Sequence, residues 1–123
     1  MSTANNQVSH IDFRFLKDTG MTGAVERDNA FGSGGKLYSI FIDNSAGGAT
    51  PGYLKLYDTA LAVTEGTTVP DFCFKVPNSR HLLQFPEGIT FSNGLGYTIS
   101  TGKGTTAGSA ISAAANPTVF TFK

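Results

Sequence analysis

The residues of this chain that could do chemistry are few, and their spacing argues against most of the chemistry they suggest. Gly32, Gly34, Gly35 and Lys36 crowd together as they would in a phosphate-binding loop. The pattern G-x-x-x-x-G-K-[ST] nevertheless fails, because Ala30 stands at its first glycine and Leu37 replaces its hydroxyl residue. A strand is also predicted after these glycines, where a phosphate site needs a helix N-terminus. Gly102-Lys103-Gly104 fails in the same way, with Tyr97 at the first glycine position. These glycines read as turn residues.

The carboxylates fare no better. Asp12, Asp43, Asp58 and Asp71 each stand beside a predicted strand, but none belongs to a calcium-loop spacing such as D-x-[DN]-x-[DN]-G. Carboxylates at strand ends commonly accept backbone hydrogen bonds in turns, and that is the role expected here. His10 and His81 are too few and too scattered for a zinc site and read as surface or interface residues. Cys73 is the only cysteine, so no intrachain disulfide forms. Lying within Asp71–Val76 with no histidine placed to activate it, it is expected to be a small core or interface hydrophobe. No nucleophile, base and orienting group can be assembled from this inventory. The chain is therefore expected to be no enzyme, with no catalytic residue, cofactor or metal. Tyr38, Tyr53, Tyr57 and Tyr97 are left. They could stack on sugars or form a protein interface, and the absence of tryptophan favours the interface.

The elements that would carry these residues are strands. Gly35–Asn44 and Gly52–Asp58 are rich in aromatic and β-branched residues and are bounded by Gly, Pro, Asn and Asp. In the first, Leu37, Ser39 and Phe41 oppose Tyr38, Ile40 and Ile42. In the second, Leu54 and Leu56 are predicted to face inward, with Tyr53, Lys55 and Tyr57 outward. Phe72, Phe74 and Val76 share one face of the next strand, and His81–Phe85 is a short strand stopped by Pro86. Phe41, Leu56 and Phe74 are assigned to the core. Asn93-Gly94 between Ile89–Phe91 and Leu95–Ser100 is the strongest hairpin signal. The Gly/Ala/Ser/Thr-rich stretch from Thr101 to Pro117 reads as a long surface loop, mobile in the free protein, before a last strand Val119–Phe122. Ahead of all this, Val8–Phe15 alternates, placing Ile11, Phe13 and Phe15 on one face and His10, Asp12 and Arg14 on the other. The prediction is an all-β chain, a single β-sandwich or jelly-roll-like domain of about eight short antiparallel strands at 35–123. Residues 1–34 form an extended N-terminal arm and linker.

Composition agrees. Hydrophobic content is 40% and charged content 15%, with 15 glycines, which suits a loop-rich β domain. Nine basic and nine acidic residues give a net charge of zero, without the basic excess expected of a nucleic-acid binder. No basic and apolar leader opens the chain, and no apolar run approaches the roughly 20 residues of a membrane span. Synthesis and folding in a reducing cytoplasm are expected, without membrane partners.

With these residues laid out, Gly35–Ser100 resembles small virion structural proteins of tailed bacteriophages. The resemblance rests on Gly35–Asn44, Gly52–Asp58, Gly66–Asp71, Phe85–Phe91 and Leu95–Thr101 with its Gly/Thr/Ala-rich sequel. It covers about two thirds of the chain, implies a compact β-sandwich, and points to a head decoration (cement) protein on the capsid surface of the virion. Its partners would be the major capsid protein and neighbouring copies of itself as a homo-oligomer. Ile11, Phe13 and Phe15 would form a clasp, and Tyr53 and Tyr57 would add interface area. A tail, neck or fibre component and a virion-displayed carbohydrate-binding module are the alternatives.

Overall fold

The protein is described by a computed structural model at residues 13–18, 25–27, 30, 32–45, 52–108 and 118–123. These residues form eight strands: β1 (Arg14–Asp18), β2 (Val25–Arg27), β3 (Gly35–Asp43), β4 (Gly52–Asp58), β5 (Phe72–Val76), β6 (Arg80–Phe91), β7 (Leu95–Ser100) and β8 (Thr118–Phe122). Two four-stranded antiparallel sheets result, in the orders β1-β8-β3-β6 and β2-β7-β4-β5. The pairing has a simple logic. β4 pairs with β5, β3 with β6, β2 with β7 and β1 with β8, so the chain runs out and back as one antiparallel ribbon. That ribbon is rolled so that β3 also meets β8 and β4 also meets β7. This is the jelly-roll form of a two-sheet sandwich.

Alternation fills the space between the sheets. Leu37, Ile40, Ile42, Phe91, Phe120 and Phe122 from the first sheet meet Leu54, Leu56, Val76, Leu95, Tyr97 and Ile99 from the second, all at most 1% exposed. Aromatic rings bridge the sheets, with centroids 4.5 Å apart for Tyr97–Phe120, 5.9 Å for Phe74–Phe85 and 6.1 Å for Phe72–Phe91. One polar contact crosses as well. The Tyr97 hydroxyl donates to Oδ2 of the buried Asp18 at 2.7 Å, joining β7 to β1.

Several sequence expectations change in three dimensions. Phe41 is 36% exposed and points away from the core. The cause is a bulge at Tyr38: Leu37 and Ser39 pair with the consecutive residues Phe122 and Thr121, so Leu37 and Ile40 both face inward and Ser39 and Phe41 face out. Opposite that bulge, β6 runs through Pro86 where two short strands were expected, which an edge strand tolerates. Asn93-Gly94 is no hairpin, because β6 and β7 lie in different sheets and the turn carries the chain across the sandwich. β1 and β2 belong to the two sheets, so the sandwich takes in segments assigned above to an arm and linker. Ile11, His10 and Asp12 lie outside the described residues, as do 109–117 of the long loop.

Of the glycines considered for phosphate binding, Gly34 and Gly35 have a packing role, whereas Gly32 and Gly104 are turn residues at positive φ with open space around them. A side chain at Gly34 would come within 2.5 Å of the Ser92 carbonyl oxygen, and one at Gly35 would collide with the Phe122 ring. Replacing Phe120 by alanine is expected to cost about 3–5 kcal/mol, whereas Phe41→Ala should cost less than about 1 kcal/mol. Urea midpoints measure both, and equal losses would restore the unbulged register.

Candidate interaction surfaces

The two outer faces of the sandwich differ in kind. On the second sheet, Lys55 and Tyr57 of β4 face outward by alternation, yet they are 0% and 1% exposed. The connection from Thr59 to Asp71 folds back and brings Glu65 onto the sheet. Lys55 Nζ donates to Glu65 Oε2 at 3.0 Å and to the Thr106 carbonyl at 2.8 Å. Glu65 also accepts hydrogen bonds from the Ser100 hydroxyl and from the Gly108 N–H, the latter at 2.8 Å. Beside it, the hydroxyls of Tyr57 and Thr98 lie 3.3 Å apart. Gly102 N–H donates to the Ser100 hydroxyl at 3.0 Å, which folds the strand exit tightly against residues 106–108.

Burial opposes ionisation of Glu65, but the bonds from Ser100, Gly108 and Lys55 outweigh it and hold the carboxyl below its ordinary value. A buried ion pair is favourable only when such bonds satisfy the remaining lone pairs and protons. Here Lys55 and Glu65 each have a backbone partner in addition to one another. Two connections, one leaving β4 and one leaving β7, are thereby pinned together across the face of one sheet.

At the rim of this cover lies an open groove of about 430 Å³ lined by Tyr53, Cys73, Lys75, Lys103 and Gly104. Its floor is set by strand register, with Tyr53 opposite Lys75 and Lys55 opposite Cys73. Its wall is the turn in which Thr106 N–H bonds the Lys103 carbonyl at 3.0 Å.

Among the described residues, the first sheet has an open outer face. Register aligns Lys17, Val119, Phe41 and Leu82 in one row across all four strands, and Phe15, Thr121, Ser39 and Gln84 in the next. Phe15 is 69% exposed and Leu82 55%. Phe13 packs edge-on against Tyr38 with centroids 5.3 Å apart, and the Lys123 ammonium sits 5.5 Å from the Phe13 ring. At the β6 edge, Arg80 Nε meets Asp43 Oδ2 at 3.2 Å. Hydrogen bonds from the Ser45 hydroxyl and N–H hold the Asp43 carboxyl low, with Arg80 adding to the effect. The result is an apolar strip with a charged rim, the composition of a surface built to be covered.

Of the predicted interface residues, Phe13 and Phe15 lie together at this open sheet. Tyr53 is half-buried in the groove on the other sheet. Tyr57 is withdrawn: it is 1% exposed, with its hydroxyl 3.3 Å from that of Thr98 beside the Lys55–Glu65 pair. Cys73 is exposed and is no core residue, because it faces outward on an edge strand. The strand-end carboxylates act as expected. Asp58 accepts from the N–H groups of Ser92 and Asn93 at 3.2 and 2.9 Å, and Asp71 from the Asp58 N–H at 2.7 Å. Among the described residues, no group of three His, Cys, Asp or Glu side chains is placed to hold a metal ion. Phe41, Leu82, Lys55 and Glu65 were not singled out as site residues. The only sequence signal for the buried pair was Lys55 between inward leucines.

Breaking the pair with Glu65→Gln is expected to cost about 3–5 kcal/mol, and Lys55→Met with Glu65→Leu should recover most of that loss. The native advantage over Glu65→Gln also depends on pH. The Glu65 carboxyl is depressed on folding, so its contribution is present above the ordinary glutamate value of 4.5 and is lost as pH falls through the lower folded value. Urea unfolding of both proteins from neutral to acid pH measures it; a constant difference would remove Glu65 as the titrating group.

Comparison with known proteins adds no relative. No protein-family model, no curated protein and no solved structure matches this chain.

Proposed function

We propose that this protein is a non-enzymatic virion structural subunit of a tailed bacteriophage, a decoration (cement) protein that binds the outer surface of the capsid. The observation that carries the reading is the open face of the β1-β8-β3-β6 sheet, where Phe15, Phe41 and Leu82 stand in water. Apolar area of this kind gains free energy by being covered, at roughly 25 cal/mol for each Å² removed from water. The opposite sheet is already covered by the chain's own connections, so among the described residues one face is left for docking. A shell made of many identical subunits offers the matching site repeatedly. Contacts with shell subunits and with neighbouring copies then add through effective concentration. Jelly rolls are common among viral capsid domains, which supports the reading by analogy of fold. A net charge of zero also leaves little repulsion between copies crowded on one surface. A tail, neck or fibre subunit would use the same face and would differ in copy number.

The test is binding of the purified protein to expanded shells that lack it. Phe15→Ser combined with Leu82→Ser is expected to weaken binding about tenfold or more, equivalent to about 1.4 kcal/mol, with the melting temperature nearly unchanged. Wild-type protein that ignores the shells would remove the capsid reading. Variants that bind as well as wild type would remove this face from it. Copy number per particle from quantitative gels then separates head decoration from a neck or tail site.

A further inference from the structure

We infer that the groove lined by Tyr53, Cys73, Lys75, Lys103 and Gly104 is a binding site for an acidic saccharide, a sugar carrying a carboxylate or sulfate group. Its volume, about 430 Å³, lies within the roughly 300–1,000 Å³ of small-ligand sites. Its lining joins two ammonium groups to one aromatic ring and contains no carboxylate. Among the described residues, neither Lys75 nor Lys103 takes part in an ion pair. The chain as a whole is neutral, so two cations meeting in one groove are not the local sign of a basic surface.

Support beneath the groove is the second part of the argument. Lys103 and Gly104 lie in a turn whose far side is held by the bonds from Lys55 to the Thr106 carbonyl and from Gly108 N–H to Glu65. Lys75 stands across the strand pair from Tyr53. The backbone positions of the wall and of the floor are therefore set by a buried ion pair and a strand register before any ligand arrives. Such preorganisation lowers the ordering cost of binding. The ligand class follows from the lining. The Tyr53 ring offers a flat apolar surface for the C–H face of a sugar, and its hydroxyl offers a hydrogen bond. Lys75 and Lys103 attract an anionic substituent as point charges without the fixed fork of arginine, which suits carboxylate and sulfate alike. A nucleic-acid strand would need a longer basic track and further stacking rings. The inference does not depend on capsid attachment, since the groove and the apolar strip lie on opposite sheets.

Cys73 supplies the readout, because it is the only cysteine in the chain and lines the groove. The full chain is titrated with oligogalacturonate, with a sulfated galactan oligosaccharide and with a neutral galacto-oligosaccharide of equal length. Binding is followed by calorimetry and by the rate at which iodoacetamide alkylates Cys73. At least one acidic sugar is expected to bind and slow alkylation several-fold, while the neutral one does neither. Lys75→Ala with Lys103→Ala, both at exposed positions, should weaken that binding about tenfold or more. Salt at 1 M, where the screening length is about 3 Å, should weaken it as well. Which acidic sugar binds identifies the anion. Failure of both, equal binding of the neutral sugar, or unchanged affinity and Cys73 protection in the double variant would overturn the inference. The double variant should bind expanded shells as wild type does, so a failed groove and a failed capsid reading give different results.

Discussion

The buried pair between Lys55 and Glu65 is the contact on which the asymmetry of this molecule depends. A lysine in the middle of a strand, with inward leucines on either side, must point to the outer face of its sheet, and there it would ordinarily reach water. Instead the chain brings a carboxylate to it from one connection and a backbone carbonyl from another. Taking both charges out of water carries a large desolvation penalty, offset here by their attraction and by the bonds from Ser100 and Gly108. The return is conformational. The connection 59–71 and residues 101–108, rich in small residues and with little apolar surface of their own, acquire a defined path across the sheet.

The rest of the asymmetry follows from that path. Tyr57, Thr98 and Ser100 are enclosed on one face, and the groove beside Tyr53 gains a fixed wall. The other sheet receives no such cover among the described residues, and its central row presents Val119, Phe41 and Leu82 outward. Within the sandwich, aromatic rings from both sheets fill the core, and Tyr97 ties β7 to β1 through Asp18. A single small domain is thus closed and polar on one side and open and apolar on the other. That division is the physical basis for assigning docking to one sheet and ligand recognition to the other.

The limits of pattern reading are visible at particular residues. Alternation placed Leu54, Leu56, Phe74 and Val76 correctly because their strands are regular. It failed at Phe41 because one extra residue at Tyr38 reverses the parity of everything before it relative to everything after it. It failed at Asn93-Gly94 because a tight turn has the same local chemistry whether it returns to the same sheet or crosses to the next. Phe15 shows a subtler case. Its pairing with Phe13 on one face was legible, but β1 turns Arg14, Leu16 and Asp18 inward and leaves Phe15 in solvent.

By itself, then, the amino-acid order determined the class of the fold: β-branched and aromatic runs between turn residues, few charges and many glycines leave strands as the only way to bury a core of this size. It also determined the role of Asp43, which accepts from Ser45 in its own turn, whereas Asp58 and Asp71 bond backbone N–H groups 13 to 35 positions away. Only the tertiary structure decided the jelly-roll order, the side from which each face is covered, and the meeting of Lys55, Glu65, Ser100 and Gly108. The reason is distance along the chain. Alternation and turn chemistry are local energies, read within a few residues. The contacts that close one face join residues between 10 and 51 positions apart, and whether such groups meet depends on how the whole ribbon rolls.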